Sequence, residues 1–314
     1  MKFSRVHSLA FLQRWWMAMA FITLTLAVPS AWAAEQQTLR LEPNAAKRPF
    51  TQVQINGADA YALFDTGATI ALIDQAFFAP DITAAEPTQH ARVLGVGGQL
   101  LYRVEPLEQL AVGNRSWDDL SVAVNPHNQF PVRQSILPIS IFKEAVVDFD
   151  FRNNELHVYD GRPRRLRRVQ RSMVRYQNRD GLIFIPVEID GVSGWALIDT
   201  GADHTFVNPR FAELAKADLD AVQTERIKGS DLTNNTAAVY KFRSMQFAKS
   251  EVNNFRMSVL ETDLFAELGY PDAPMMVMGM DVLYNFRLQI DRKRQHVIFN
   301  YPIRPGLSVR MVRR

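Results

Sequence analysis

The chain has 314 residues, of which 47% are hydrophobic, enough for one large domain or two small ones with a packed core. It contains no cysteine, so disulfides, thiolate catalysis and cysteine-ligated zinc are excluded. The net charge is +3, and residues 1–33 hold three positive and no negative charges, so the rest of the chain is neutral. A neutral chain lacks the overall positive charge that is typical of nucleic-acid-binding proteins. The six histidines show no metal-binding pairing, and neither a metal nor another cofactor is expected.

Residues 1–33 have the pattern of a secretory signal peptide. Three cationic residues come first, an apolar run covers Trp15–Val28, and Ala31-Trp32-Ala33 is a small-residue cleavage pattern. We therefore expect a periplasmic or secreted protein, with an uncleaved membrane anchor as the alternative. No later stretch is long and apolar enough to span a bilayer.

The first half, residues 34–161, is predicted to consist mainly of short strands. Residues 34–49 are a lead-in or first edge strand. Alternating residues at 50–56 predict a half-buried strand before the Asn56-Gly57 turn, and the apolar run 61–65 predicts a strand that ends at Asp65. Further strands are predicted at 70–73, 107–113, 119–124, 145–151 and 156–159, with a short helix from Asp74 to Phe78 and a helical turn at 140–145.

A glycine-rich stretch lies between these strands. Gly95, Gly97 and Gly98 are flanked by apolar residues, which is typical of a mobile hairpin tip. Because it follows the strand that ends at Asp65, we expect it to form a lid over a site there. An ordinary hairpin is the alternative.

Residues 162–178 connect the halves and are rich in arginine. The seven arginines are Arg162, Arg164, Arg165, Arg167, Arg168, Arg171 and Arg175. One interpretation is a solvated connector, with a strand as one form it can take. The other is contact with anionic lipid headgroups or an acidic polymer.

The second half, residues 179–303, repeats the order of strand, Asp-Gly turn, strand and Asp199. Apolar spacing predicts a helix over Pro209–Leu219, with Asn208 as its N-cap. The polar stretch 229–237 is expected to be a second, less mobile lid, and Thr262–Leu268 a short helix that ends at Gly269. Segments 277–290 and 297–299 close the repeat, before a basic tail at 304–314.

The two halves are copies of one unit. Tyr61–Thr69 and Trp195–Asp203 each run from an aromatic residue through a short apolar segment to Asp-Thr-Gly-Ala, 134 positions apart. Farther along, the offset is 141, as between Asp150 and Asp291, so the second copy has seven extra residues. One aspartate per copy, in the same setting, implies a site on a pseudo-twofold axis.

Two carboxyl groups that meet on such an axis cannot both ionise, so they share a proton near neutral pH. One then acts as a base towards water and the other as an acid towards a carbonyl oxygen, which permits amide hydrolysis without a metal. Thr66 and Thr200 are suited to lock the two loops by hydrogen bonds. Gly67 and Gly201 permit the tight turns and close backbone approach.

The segments Phe64–Thr69 and Ile198–Asp203 resemble the active-site loops of retropepsin-like aspartic proteases, and Val277-Met278-Gly279 resembles that family's later hydrophobic-hydrophobic-glycine motif. Retroviral enzymes build this site from two chains, whereas this chain resembles a fused, single-chain form with two repeats. The resemblance implies an all-β, bilobal, pseudo-twofold fold with a few short helices. It also implies a monomer that binds a protein or peptide substrate as a strand in a cleft beneath flaps.

The resemblance assigns the site residues one by one. Asp65 and Asp199 are the expected catalytic pair. The expected loop residues are Thr66, Gly67, Ala68, Thr200, Gly201 and Ala202, and the expected substrate-binding residues are Asp203, Gly95, Gly97 and Gly98. For Asp203, bracing of the loop is the alternative role, and His204 is expected to affect specificity or lie on the surface. Ala68 and Ala202 suggest an optimum less acidic than that of pepsins.

One position departs from the family pattern. The first copy has Pro138 where the motif has glycine, and proline neither adopts positive φ nor donates an N–H. We therefore expect the loops behind the two aspartates to differ. This departure leaves open a catalytically silent peptide-binding module of the same fold. A different carboxylate hydrolase, such as a glycosidase, is the remote third alternative.

Overall fold

The computed structural model describes residues 36–80, 86, 89–95, 98–126, 134–216, 218–228, 234–302 and 309–311. Residues 34–314 form one compact unit. Among the described residues, none of the helices has the length and hydropathy needed to cross a membrane.

Where the structure describes it, the first half contains ten strands and two short 3-10 helices. The strands are β1 (Gln37–Arg40), β2 (Phe50–Ile55), β3 (Ala58–Asp65), β4 (Leu72–Asp74), β5 (Gln89–Gly95), β6 (Gly98–Val112), β7 (Arg115–Asn125), β8 (Gln134–Pro138), β9 (Val146–Asp150) and β10 (Glu155–Tyr159). The 3-10 helices are Gln75–Phe77 and Ile139–Ile141. As predicted, Asp74 caps the first of these, its carboxylate accepting a hydrogen bond from Ala76 N at 2.8 Å.

The second half contains twelve strands and three short α-helices among the described residues. The strands are β11 (Val169–Arg175), β12 (Gln177–Arg179), β13 (Leu182–Ile189), β14 (Val192–Ile198), β15 (Phe206–Val207), β16 (Asp218–Lys228), β17 (Asn234–Phe247), β18 (Ser250–Val259), β19 (Met275–Met278), β20 (Arg287–Asp291), β21 (His296–Pro302) and β22 (Val309–Met311). The helices are α1 (Pro209–Leu214), α2 (Leu264–Glu267) and α3 (Met280–Leu283).

Each half folds around its own sheet, and the two sheets share one strand order. The first is ordered β2-β3-β8-β4-β7-β6-β5, and the second contains β13-β14-β19-β15-β18-β17-β16, extended by β12 and β22. A third, six-stranded sheet, β1-β10-β9-β20-β21-β11, joins the halves, because β9 of the first half pairs with β20 of the second. The predicted all-β, bilobal fold with internal duplication is therefore confirmed.

The strand registers show where the extra residues of the second copy lie. Ala123 and Ser258 occupy equivalent places opposite β4 and β15, at an offset of 135, whereas Ile136 and Val277 are equivalent at an offset of 141. Six of the seven extra residues therefore fall between β18 and β19. This segment contains α2, which ends at Glu267 and is shorter than the predicted Thr262–Leu268, and Gly269 with a φ of 85° follows it as the predicted stop.

One predicted helix is shorter in the structure. The helix predicted over Pro209–Leu219 is α1 and ends at Leu214, because Lys216 adopts a left-handed φ of 48° and the chain continues as β16. Its N-cap is as predicted, since Asn208 Oδ1 accepts a hydrogen bond from Phe211 N at 2.9 Å. Within the arginine-rich connector, β11 pairs with β21 along its whole length, which is the strand form that the sequence allowed.

Candidate active site

Each aspartate of the repeated motif stands at the end of a strand held by a parallel neighbour. Asp65 is the last residue of β3 and pairs with Pro138 of β8. Asp199 follows β14, and its N–H donates to Met278 O of β19 at 3.1 Å. Phe64 and Ile198, directly before the aspartates, are fully buried. The apolar runs read from the sequence therefore fix both loops in the core.

Two threonines lock the loops to each other. Thr66 Oγ1 donates to Ile198 O at 2.7 Å and accepts from Thr200 N at 3.0 Å. Thr200 Oγ1 mirrors this by donating to Phe64 O at 2.7 Å and accepting from Thr66 N at 3.1 Å. Both side chains are buried, so each of these hydrogen bonds satisfies groups that water does not reach.

The lock brings the two carboxyl groups into hydrogen-bond contact. Gly67 N donates to Asp65 Oδ1 at 2.7 Å, and Gly201 N donates to Asp199 Oδ1 at 2.8 Å. Ala202 N adds a third donor, to Asp199 at 3.0 Å. A Cβ on Gly67 would lie 2.7 Å from Asp199 Cγ, and one on Gly201 would lie 2.5 Å from Asp65 Cγ. Each loop therefore needs glycine so that the opposite aspartate fits against its backbone.

The pair holds a proton more tightly than isolated carboxyl groups do. Burial and then the negative charge of Asp65 raise the pKa of Asp199 well above its ordinary value of 3.8. Burial also raises the pKa of Asp65, against the lowering effects of the Gly67 N–H, the Asp199 carboxyl and the charge of Arg48. The two groups titrate as one unit that retains a single shared proton above the usual carboxyl range.

Comparison with known protein families shows which family the chain belongs to. The family model described as Aspartyl protease matches the chain twice, over residues 51–140 and 185–282, together more than half of its length. The chain belongs to the aspartyl protease family. A crystal structure of a retropepsin-like aspartic protease from Rickettsia conorii is similar at 25% identity, with a TM-score of 0.33, over 42% of this chain and 92% of that one. No curated protein matches the chain.

Among the described residues of this family member, a charged contact lies on one side of the aspartate pair and has no counterpart at the equivalent positions. Arg48, just before β2, places its Nε 2.8 Å from Asp203 Oδ1 of the second half. At the 134-residue offset the equivalent positions are Leu182 and Thr69, which cannot form an ion pair. Asp203 therefore braces its loop against the first half, while its side chain stays 40% exposed. The sequence reasoning missed Arg48, although the repeat offset would have exposed the asymmetry.

The expectation about Pro138 was wrong about positive φ, whereas the difference in the N–H group is present. Gly279 has a φ of −93°, which any residue adopts, and it is glycine because a Cβ would lie 2.7 Å from the backbone of His204. Its N–H donates to Thr205 Oγ1 at 3.0 Å. In the first half, Ala71 stands at the position of Thr205, so the missing N–H of Pro138 leaves no acceptor unpaired. The first half thus has Pro138 with Ala71 where the second half has Gly279 with Thr205.

The predicted lid is a hairpin that reaches the other half. Gly95 of β5 pairs with Gly98 of β6, while Gly97 lies outside the described residues. Leu94 packs against a buried apolar cluster of the second half, and Ala202 of the active-site loop packs against the same cluster. Arg92 lies 4.0 Å from Glu267 of α2. The extra residues of the second copy therefore provide the surface on which this hairpin rests.

Three predicted features remain, namely Ala68, His204 and the second hairpin. Ala68 packs on the apolar cluster of its own half, and His204 is exposed. The second hairpin, β16–β17, occupies the predicted place, but residues 229–233 at its tip lie outside the described ranges.

One cluster that the sequence did not predict has ligand atoms spaced closely enough for a cation. Asp150, Glu155 and His157 place ligand atoms within 4.8 Å of one another on the six-stranded sheet. Arg287 forms an ion pair with Asp150, so a positive charge already occupies this cluster. Its geometry is that of a structural ion pair between β9 and β20.

Proposed function

We propose that the chain is an aspartic endopeptidase that hydrolyses peptide bonds in proteins through a water molecule activated by Asp65 and Asp199. The observation that carries the proposal is the carboxyl pair, which is hydrogen-bonded across the two halves and whose pKa values are raised by burial. A metal-free acid and base in one site is the requirement for amide hydrolysis by this route.

The steps follow from the protonation of the pair. The ionised carboxylate takes a proton from water as the water oxygen bonds to the peptide carbonyl carbon. The protonated carboxyl gives its proton to the carbonyl oxygen, which yields a neutral tetrahedral intermediate. The intermediate then collapses. One of its hydroxyl groups returns a proton to the ionised carboxylate, the C–N bond breaks, and the leaving nitrogen takes a proton from the protonated carboxyl, so the pair again holds one proton. The glycine N–H donors and the threonine lock keep both carboxyl groups in place throughout.

We propose that the substrate is an extended polypeptide that binds between the aspartates and the β5–β6 hairpin. Exposed backbone groups at a sheet edge or flap pair with a substrate strand, as in other strand-addition modes. Because both aspartates come from one chain, the site needs no second subunit, and we propose a monomer.

The decisive experiment measures peptide cleavage by Asp65→Asn and Asp199→Asn variants, with Asp59→Asn, an exposed aspartate of β3, as the matched control. Each site variant should lose at least about 100-fold in kcat/KM, the usual contribution of general acid–base catalysis. The control should retain full activity, and pepstatin or a retroviral-type inhibitor should block the wild type. Full cleavage by either site variant would rule out the pair as the catalyst. Peptide binding without cleavage by the wild type would favour the silent binding module.

The signal-like segment supports a second part of the proposal, that the enzyme works in the periplasm or outside the cell. N-terminal sequencing of the protein recovered from the periplasmic fraction should give a chain that begins at Ala34. Recovery of an intact residue 1 in the membrane fraction would favour the uncleaved anchor instead.

A further inference from the structure

One end of the six-stranded sheet collects cationic side chains from four separate segments. We call it the basic end, and its members are Lys143, Arg162, Arg175, Arg292 and Lys293. Four of the five are exposed and Arg292 is partly exposed. The segments lie before β9, after β10, at the end of β11 and in the β20–β21 turn.

Hydrogen bonds hold these segments together. Arg292 N donates to Ala145 O at 2.8 Å, and Ala145 N donates to Asp160 Oδ1 at 2.9 Å. Arg294 Nη1 donates to Gly161 O at 3.1 Å. Arg175 pairs with His296 in the sheet, and Tyr176 N donates to Gln295 O at 2.9 Å. The charges are therefore fixed on one surface and are not scattered along flexible chain.

Little negative charge offsets the basic end. Asp291 is buried and pairs with Arg294, and Glu144 is buried and pairs with Arg115, so neither neutralises the five members. Asp160 is the exposed carboxylate at this end. Within the described part of the chain, none of the five forms an ion pair. A chain that is neutral overall after residue 33 thus presents a strongly positive face.

The fold does not require this charge. The pseudo-twofold axis relates the β20–β21 turn to the β9–β10 turn at the opposite end of the sheet. The first turn reads Arg292-Lys293-Arg294-Gln295, whereas the second reads Phe151-Arg152-Asn153-Asn154. Two turns of the same geometry therefore differ by two positive charges, which points to a role for the charge itself.

The chain enters the fold at this same end. Gln37, the first residue of β1, lies opposite Val158, two residues before Asp160. The segment before β1 carries the apolar run Trp15–Val28 that is predicted to meet a membrane during export. A cationic face beside this entry point suits the negative potential of an anionic lipid surface.

We propose that the basic end binds an anionic phospholipid surface and keeps the enzyme at the membrane after the leader is removed. Of the seven arginines in the connector, Arg162 and Arg175 contribute directly. Arg164 instead stacks on Tyr159 at 4.5 Å, and Arg171 sits within β11 opposite Asn300. The proposal does not depend on peptidase activity, so it can fail while the proposed function stands.

The test uses the compact unit of residues 34–314 and sedimentation with vesicles of phosphatidylcholine, with or without 30% phosphatidylglycerol. We expect binding only to the anionic vesicles, with clear weakening as salt rises from 0.1 to 0.5 M. Each cationic side chain at such a surface adds about fivefold in affinity. The triple variant Lys143→Glu, Arg175→Glu and Lys293→Glu should therefore bind at least about 100-fold more weakly.

The matched control reverses three exposed cationic residues elsewhere, as Arg152→Glu, Lys216→Glu and Lys241→Glu. It has the same net charge as the first triple variant and should bind within about threefold of the wild type. Equal losses in both triple variants, or equal binding to both vesicles, would overturn the proposal. An oligonucleotide that displaces the protein from vesicles would also overturn it, in favour of a nucleic-acid face. If the first triple variant does not fold, Lys293→Gln replaces it, with about fivefold weaker binding expected and unchanged binding contradicting the proposal.

Discussion

Thr66→Val tests whether the threonine lock holds the halves together. Valine keeps the shape of threonine but removes the hydroxyl that accepts from Thr200 N and donates to Ile198 O. Both backbone groups lie at a buried contact, since Thr66 is 1% and Thr200 0% exposed. An unpaired buried polar group costs about 1–3 kcal/mol, so the variant should lose about 2–6 kcal/mol of unfolding free energy.

Urea denaturation followed by tryptophan fluorescence measures this loss. Thr200→Val should lose a similar amount, because its hydroxyl makes the mirrored pair of bonds. Thr66→Ser keeps the hydroxyl and should stay within about 1 kcal/mol of the wild type. A loss below about 1 kcal/mol for Thr66→Val would show that water or a rearranged loop satisfies these groups, and the inferred lock would be wrong.

Three further predictions concern the site and its lid. Arg48→Gln removes a positive charge that lowers the pKa of Asp65, so the acid limb of the kcat/KM profile should move to higher pH; an unmoved limb would contradict this. The raised pKa of Asp199 means that this group stabilises the fold fully below about pH 3.8 and that this stabilisation is lost as pH rises through the folded pKa. Asp199→Asn should therefore melt above the wild type at pH 7 and 8, with a difference that shrinks towards pH 4; a constant difference would argue against burial of the charge. Leu94→Ala should raise KM about tenfold through lost packing of the lid, whereas Glu267→Gln, at an exposed 4.0 Å pair, should change it by less than about threefold. Equal effects of Leu94→Ala and Glu267→Gln on KM in steady-state kinetics would contradict the proposed packing of the lid on the second half.

The sequence by itself determined the duplication, the aspartate loops and several caps. These features depend on short stretches of chain, such as an apolar run before Asp-Thr-Gly-Ala or asparagine before proline at the start of α1. The helix predicted to Leu219 failed because apolar spacing over a few residues does not distinguish the end of a helix from the start of β16. The left-handed backbone at Lys216 ends the helix before β16 begins.

Only the tertiary structure decided how the halves differ where they meet. The contact of Arg48 with Asp203, the seat of Leu94 on the second half and the basic end all join residues far apart in the chain. A single sequence contains no signal for such pairs, because each side chain alone suits a solvated surface equally well. Pro138 is a further example. Its effect depends on Ala71, and the two residues come close together only because β4 pairs with β8. Short stretches of sequence place the aspartates at strand ends. Long-range packing then determines the pKa values of the pair, the charged contact on one side of it and the position of the β5–β6 hairpin.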